Sequence, residues 1–170
     1  MIFRSRFQVV TQGVLGGLRV RGHGDYHLGQ LLYTGRDYVV IDFEGEAERS
    51  LDDRRSKRSP LRDVAGMVRS FYYAAHAAFT GHNATGLIRD TDVETLRLWA
   101  RFWYRWVSAA FLGAYLEAVA GSGLLPAETQ QLAAFLQVLL LERAVHELGF
   151  DLEQRPQMVA LPLQAIKELL

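Results

Sequence analysis

The stretch His23-Gly24-Asp25-Tyr26-His27-Leu28-Gly29-Gln30, followed a little further on by Ile41-Asp42-Phe43-Glu44-Gly45-Glu46, decides how this chain reads. Between the two lie Leu31 to Thr34 and Tyr38 to Ile41, β-prone runs separated by Gly35-Arg36-Asp37. That pattern signals a hairpin. Antiparallel pairing joins the ends of a hairpin, so Gln30 and Asp42 are expected side by side, with Asp25 just upstream. A carboxylate that accepts a proton, beside an amide oxygen and a second carboxylate that hold magnesium, is what phosphoryl transfer needs. Glu44 is the next carboxylate and a candidate for a second magnesium, directly or through water. Glu46 reads as a solvated surface charge.

Each of these residues also has a plainer reading. A lone aspartate beside a glycine is commonly a turn residue that bonds its own backbone. The compound pattern His-Gly-Asp-x-His-x-x-Gln, a hairpin, then an apolar residue and Asp is far more specific than any one part. His23 and His27 are spaced as zinc ligands on a helix would be, but Gly24 argues against a helix and no third ligand is evident. Imidazole hydrogen bonds that brace the loop around Asp25 are expected instead. Asp42 follows Val39-Val40-Ile41, a buried-strand pattern, where a carboxylate is costly unless it is paired or bound to a cation.

The 170 residues can bury one sizeable core, and a single domain is expected over 1–170, with the loops in 20–60 and a helical bundle in 60–170. Lys plus Arg and Asp plus Glu both number 19, so bulk charge favours neither nucleic acid nor an acidic membrane surface. The absence of cysteine removes disulfides, thiolate metal sites and Cys nucleophiles, and it suits a reducing cytoplasm. No apolar run reaches the ~18 residues of a spanning helix, and the N-terminus lacks a signal-peptide pattern. A cytoplasmic location is expected.

Mainly α structure with one small β-hairpin is the expected class. Ile2 to Leu18 reads as a helix that dies at the glycines. Glu44 to Arg58 reads as a charged loop. Ser59-Pro60-Leu61 marks a helix start, running to about Phe79 and ended by Gly81-His82-Asn83. Thr91-Asp92-Val93-Glu94 is a capping box that opens a long helix. Its Trp99, Trp103 and Trp106 recur at helical spacing and read as core, with sugar stacking the other use of such a stripe. Gly121-Ser122-Gly123 breaks that helix. Pro126 opens a Leu-rich one that stops at Gly149, and a short helix begins near Pro162. Arg49, Arg54, Arg55, Lys57, Arg58 and Arg62 form a basic run that reads as solvated charge, since no aromatics interleave as an RNA patch would require.

The two acidic motifs, with Asp53 to Met67 and Leu141 to Phe150 followed by Arg155-Pro156, resemble the kinases of the aminoglycoside-phosphotransferase type. Within them they resemble most closely the C-terminal lobe of the maltokinases, over nearly the whole chain from about Val20. The resemblance implies a protein-kinase-like C-terminal lobe in which Asp25 is the catalytic base and Gln30, Asp42 and Glu44 hold Mg2+. It places His23, His27, Arg54, Arg55, Lys57 and Arg58 near the sugar or phosphates; Tyr72, Tyr73 and His76 are further candidates to line a sugar site, with packing as their default reading. It further implies ATP and maltose as substrates, maltose 1-phosphate as product, and a setting in trehalose and glycogen metabolism, with a trehalose-synthase domain as a fusion partner. A different small hydroxyl acceptor, or a non-catalytic sugar-binding module, are the other readings. A nucleotide lobe with a phosphate-covering loop and a pairing lysine is expected to be absent, because Lys57 and Lys167 are the only lysines. Without it the chain is expected to expose an apolar patch, to be covered by the missing lobe or by a second copy in a homo-oligomer.

Overall fold

The computed structural model describes residues 16–47, 49–76, 79 and 89–170. The expected helix over Ile2 to Leu18 and the Gly81-His82-Asn83 stop lie outside these residues, except for 16–18. The fold is mostly helical with one small antiparallel hairpin, as the sequence leads one to expect. Strand β1 (Leu31–Tyr33) pairs with β2 (Tyr38–Val40), with Leu31 opposite Val40 and Tyr33 opposite Tyr38. Thr34 and Asp37 close the turn, and Gly35 takes the positive φ that it needs.

Five helices follow: α1 (Leu51–Arg55), α2 (Leu61–His76), α3 (Val93–Ala118), α4 (Thr129–Gln154) and α5 (Ala160–Leu169). The segment expected to be a charged loop thus contains α1. Ser50 caps it, its hydroxyl accepting from the Asp53 amide at 3.2 Å, with Asp52 and Asp53 in the first turn and Arg54 and Arg55 in the last. Both ends therefore complement the helix dipole. Ser59 caps α2 as anticipated, accepting from Leu61 N–H. The capping box at Thr91 does not form; Thr91 donates to the Asp92 side chain, and a 3-10 turn over Asp90–Asp92 leads into α3. Helix α4 does not stop at Gly149 but runs through it to Gln154, where Pro156 follows. A lone glycine costs a helix only about 1 kcal/mol, too little to end one packed on two neighbours.

Helix α2 is the centre of the molecule. It packs on both α3 and α4, and α4 packs on α5. Leu61, Val64 and Ala65 of α2 and Leu139 of α4 form one core cluster, flanked by Phe111, Leu112 and Tyr115 of α3. Tyr72, Leu161 and Ala165 form a second. Among the described residues no helix is long and apolar enough to cross a membrane. The tryptophans of α3 depart from expectation: Trp99, Trp103 and Trp106 are exposed. The buried side of α3 is instead marked by Tyr104, Ser108, Phe111 and Tyr115. Helical periodicity alone cannot say which of two apolar stripes faces inward.

Candidate active site

The loop bearing Asp25 is held by α2. The Asp63 carboxylate accepts from the backbone N–H of His23 at 2.7 Å and of Gly24 at 2.9 Å. Gly66, one turn further along α2, lets the loop lie against the helix; a Cβ there would stand 2.6 Å from the Tyr26 carbonyl oxygen. Gly24 itself sits at φ +86 against Gly45, so the two acidic motifs meet at a pair of glycines. Only glycine takes that backbone conformation without steric cost.

His23 is buried and ties the loops together. Its Nε2 lies 2.8 Å from the Ile41 carbonyl, and its Nδ1 accepts the Asp25 N–H at 3.3 Å. A carbonyl can only accept, so Nε2 carries the proton and Nδ1 is the acceptor. Both ring nitrogens are thereby occupied by backbone, and His23 lines neither cleft described below. These two bonds brace the loop around Asp25 against the end of β2. His27 also bonds locally, its Nδ1 accepting the Gly29 N–H at 3.0 Å to cap the turn over Leu28–Gln30. Its Nε2 faces Asp25 Oδ2 at 3.5 Å.

Gln30 and Asp42 meet at the base of the hairpin as the register demands: Gln30 Nε2 donates to Asp42 Oδ2 at 3.0 Å. Asp42 has φ 62, the one positive φ at a non-glycine residue among those described. Such backbone strain concentrates at functional sites. Among the described residues no group of three or more His, Cys, Asp and Glu side chains converges on a metal position. Gln30 and Asp42 form a two-residue pair. That suits magnesium, which keeps waters and substrate phosphate oxygens as its other ligands. Glu44 approaches the rest of the site through its carbonyl, 3.5 Å from Arg54 Nη1.

Asp25 borders two adjoining cavities. The larger, about 460 Å³, is lined on the far side by α2 and α4, including Ser70, Tyr73, His146, Glu147 and Phe150, with His27 and Arg155 at its margins. The smaller, about 70 Å³, is lined by Arg49, Arg54, Arg58 and Arg62. Arg143 of α4 stands between them. It donates to Asp25 Oδ1 at 3.2 Å and to Glu46, and its Nε lies 3.7 Å from Glu147. Burial works against the charge of this guanidinium, but Glu46, Glu147 and Asp25 outweigh it and raise its pKa.

Glu46 therefore is no solvated surface charge. It is buried between Arg49 and Arg143, with His146 at 3.8 Å. Burial alone would raise its carboxyl, yet the hydrogen bond from Arg49 and the charge of Arg143 hold it below the ordinary 4.5. A carboxyl depressed in the folded state adds stability above its unfolded pKa, and that contribution is lost as pH falls through the folded value. Glu46→Gln is thus expected to cost about 2 kcal/mol at neutral pH. The difference from the parent should vanish in acid below 4.5. Urea unfolding of both proteins at several pH values reads this; a constant difference across the range would contradict the ion-pair role.

The remaining expected site residues divide. Arg54 and Arg58 line the small cavity, Arg58 paired to Asp53 at 2.9 Å and Arg54 with a buried Nε that has no hydrogen-bond partner. Arg55 and Lys57 are exposed and line neither cavity. Tyr72 is in the core, stacked on His76 with ring centroids 4.3 Å apart, and burial pushes its hydroxyl up to about 12. Its neighbour Tyr73 is the one that reaches the cleft, donating to Asp151 at 2.7 Å. A tyrosine pair on a helix places its members about 100° apart, so one faces in and the other faces the cleft. Sequence reading missed Arg143, Glu147 and Asp151 as site residues. The signal was present as spacing: Arg143, Glu147 and Asp151 recur every four residues and so share one face of the helix.

Asp25 stands at a cleft lined by arginines, while the strained Gln30–Asp42 pair lines neither cavity and is tied to the Asp25 loop through His23; these are parts that suit a phosphotransferase. Comparison with known proteins then turns on glucosamine kinases. The chain is 31% identical over 163 residues to the glucosamine kinase of Mycolicibacterium smegmatis, covering 95% of this chain and 37% of that protein. It is 27% identical over 148 residues to that of Streptacidiphilus jiangxiensis, covering 87% and 31%. A solved glucosamine kinase in complex with glucosamine, ADP and inorganic phosphate superposes with TM-score 0.69 at 25% identity, over 87% of this chain and 32% of that one. A second crystal form gives TM-score 0.68. No family model matches. The chain thus spans about a third of the length of these relatives. The resemblance to kinases of the aminoglycoside-phosphotransferase type and to maltokinases is overturned by these matches, and with it maltose as the sugar, maltose 1-phosphate as product, the trehalose-synthase domain as fusion partner and the setting in trehalose and glycogen metabolism.

Proposed function

We propose that these residues form the acceptor-binding and catalytic lobe of an ATP-dependent sugar kinase of the glucosamine-kinase type. The observation that carries the proposal is Asp25, placed by Asp63 and His23 at the mouth of a cleft whose other wall is the charged stripe of α4. Asp25 accepts the proton of the attacking sugar hydroxyl as the phosphoryl group transfers. Gln30 and Asp42, with Glu44 behind them, would hold magnesium, which neutralises phosphate charge when bound. His27, Arg54 and Arg58 border the substrates, and Tyr73, His146 and Glu147 shape the acceptor cleft. Glucosamine carries an ammonium group; of the carboxylates at the cleft, Asp25 borders both cavities, while Glu46 and Glu147 are engaged by arginines. A cytoplasmic location goes with ATP as phosphoryl donor.

Two assays test this. These 170 residues alone, with magnesium, ATP and glucosamine, are expected to give no turnover near the ~1–100 s⁻¹ of kinases, because positioning the triphosphate is most of the catalysis. Grafted in place of the matching third of the M. smegmatis enzyme, they are expected to restore glucosamine phosphorylation. A folded chimaera that binds ADP yet phosphorylates no sugar would overturn the reading.

A further inference from the structure

Helix α3 carries a second apolar face, turned away from α2. Trp99, Phe102, Trp106, Ala109, Gly113 and Leu116 are all exposed and recur at spacings of three and four. That is the seam of a helix pair that packs at a shallow angle. The three aromatic residues are 63%, 59% and 69% exposed, and Phe102 touches both tryptophans, so they form one continuous surface. Rings of this size bury roughly 150–250 Å² each. Leu98 and Trp103 flank the seam and extend the same exposed apolar face.

The seam is also polarised along its length. Its first half is bulky and its second half is Ala109 and Gly113. Gly113 lies in the helix interior, where glycine is the poorest residue after proline. A Cβ at this position would meet nothing within 4 Å, so nothing within the described residues requires it. A helix-interior glycine on an exposed apolar seam suits close approach by a second helix. We propose that α3 pairs antiparallel with α3 of a second copy of this chain about a two-fold axis at Trp106, seating each Trp99 over the other copy's Gly113 and each Phe102 over Ala109 and Ala110. Large meets small at both ends, which makes the face complementary to itself, as a two-fold interface must be. Neither cavity at Asp25 is lined by α3, so the pairing leaves the cleft open. It is independent of the sugar-kinase reading.

Sedimentation velocity of the 170-residue chain over a concentration series tests this, with Gly113→Gln and Trp106→Lys beside the parent. The parent is expected to give a discrete dimer. Gly113→Gln replaces glycine with a better helix former in open space, so its helical circular dichroism and Tm should be kept or raised. It fills the socket, so its dimer dissociation constant should rise at least tenfold, and Trp106→Lys should give monomer. A parent that is monomeric at every concentration, aggregates without fixed stoichiometry, or dimerises as tightly with Gln at 113 overturns the proposal.

Discussion

Asp25→Asn, in a chain joined to a nucleotide-binding lobe, is expected to lower kcat by about 10²–10⁴-fold with little change in the KM for glucosamine. The amide keeps the shape of the carboxyl and can still receive the backbone-held geometry set by Asp63 and His23. What it loses is the ability to take a proton as the sugar oxygen attacks, a loss felt in the transition state and not in sugar binding. The substitution also weakens the contact from Arg143, so the unfolding free energy should be measured alongside. A variant whose kcat falls less than tenfold, or whose defect is all in KM, would remove Asp25 from the role of base.

The largest effect on stability is expected one helix away. Arg69 of α2 is only 2% exposed, and its Nε and Nη2 donate to Glu147 Oε2 at 2.9 and 2.6 Å. The guanidinium also lies over the Tyr72 ring, 4.7 Å from its centroid. Arg69→Met keeps much of the volume and removes the charge. It leaves Glu147, itself nearly buried, with Arg143 at 3.7 Å as its remaining cation. Breaking one side of a buried pair costs about 3–5 kcal/mol. The double variant Arg69→Met, Glu147→Leu should recover a large part, because no uncompensated charge is left. Chemical denaturation of the two proteins decides it; a single variant within 1 kcal/mol of the parent would mean that solvent reaches Glu147.

Local chemistry made the loops legible. Gly35 in the turn and the β-prone runs around it specify the register, and the register alone puts Gln30 beside Asp42. Ser59-Pro60 specifies the start of α2. What could not be read was anything set by the far side of a helix. Tyr72 and Tyr73 are adjacent in sequence and opposite in fate, and Glu46 looks like any charged loop residue until α4 brings Arg143 to it from 97 positions away. The tryptophans of α3 misled for the same reason: two apolar stripes share one helix, and only the position of α2 says which is inside. The maltokinase resemblance failed even though it included the Leu141 to Phe150 run of α4, because shared motifs mark a kinase type and do not name its sugar.

The two-handed grip of His23 has a mechanical consequence. One ring nitrogen holds the peptide that carries Asp25, and the other holds the carbonyl immediately before Asp42. The imidazole is in effect a rivet through two loops at the root of the hairpin. Beyond it, the strands are only three residues each, and among the described residues no third strand joins them. The rivet therefore ties the position of Asp25 to that of the Gln30–Asp42 pair through one side chain, whatever the tip of the hairpin does.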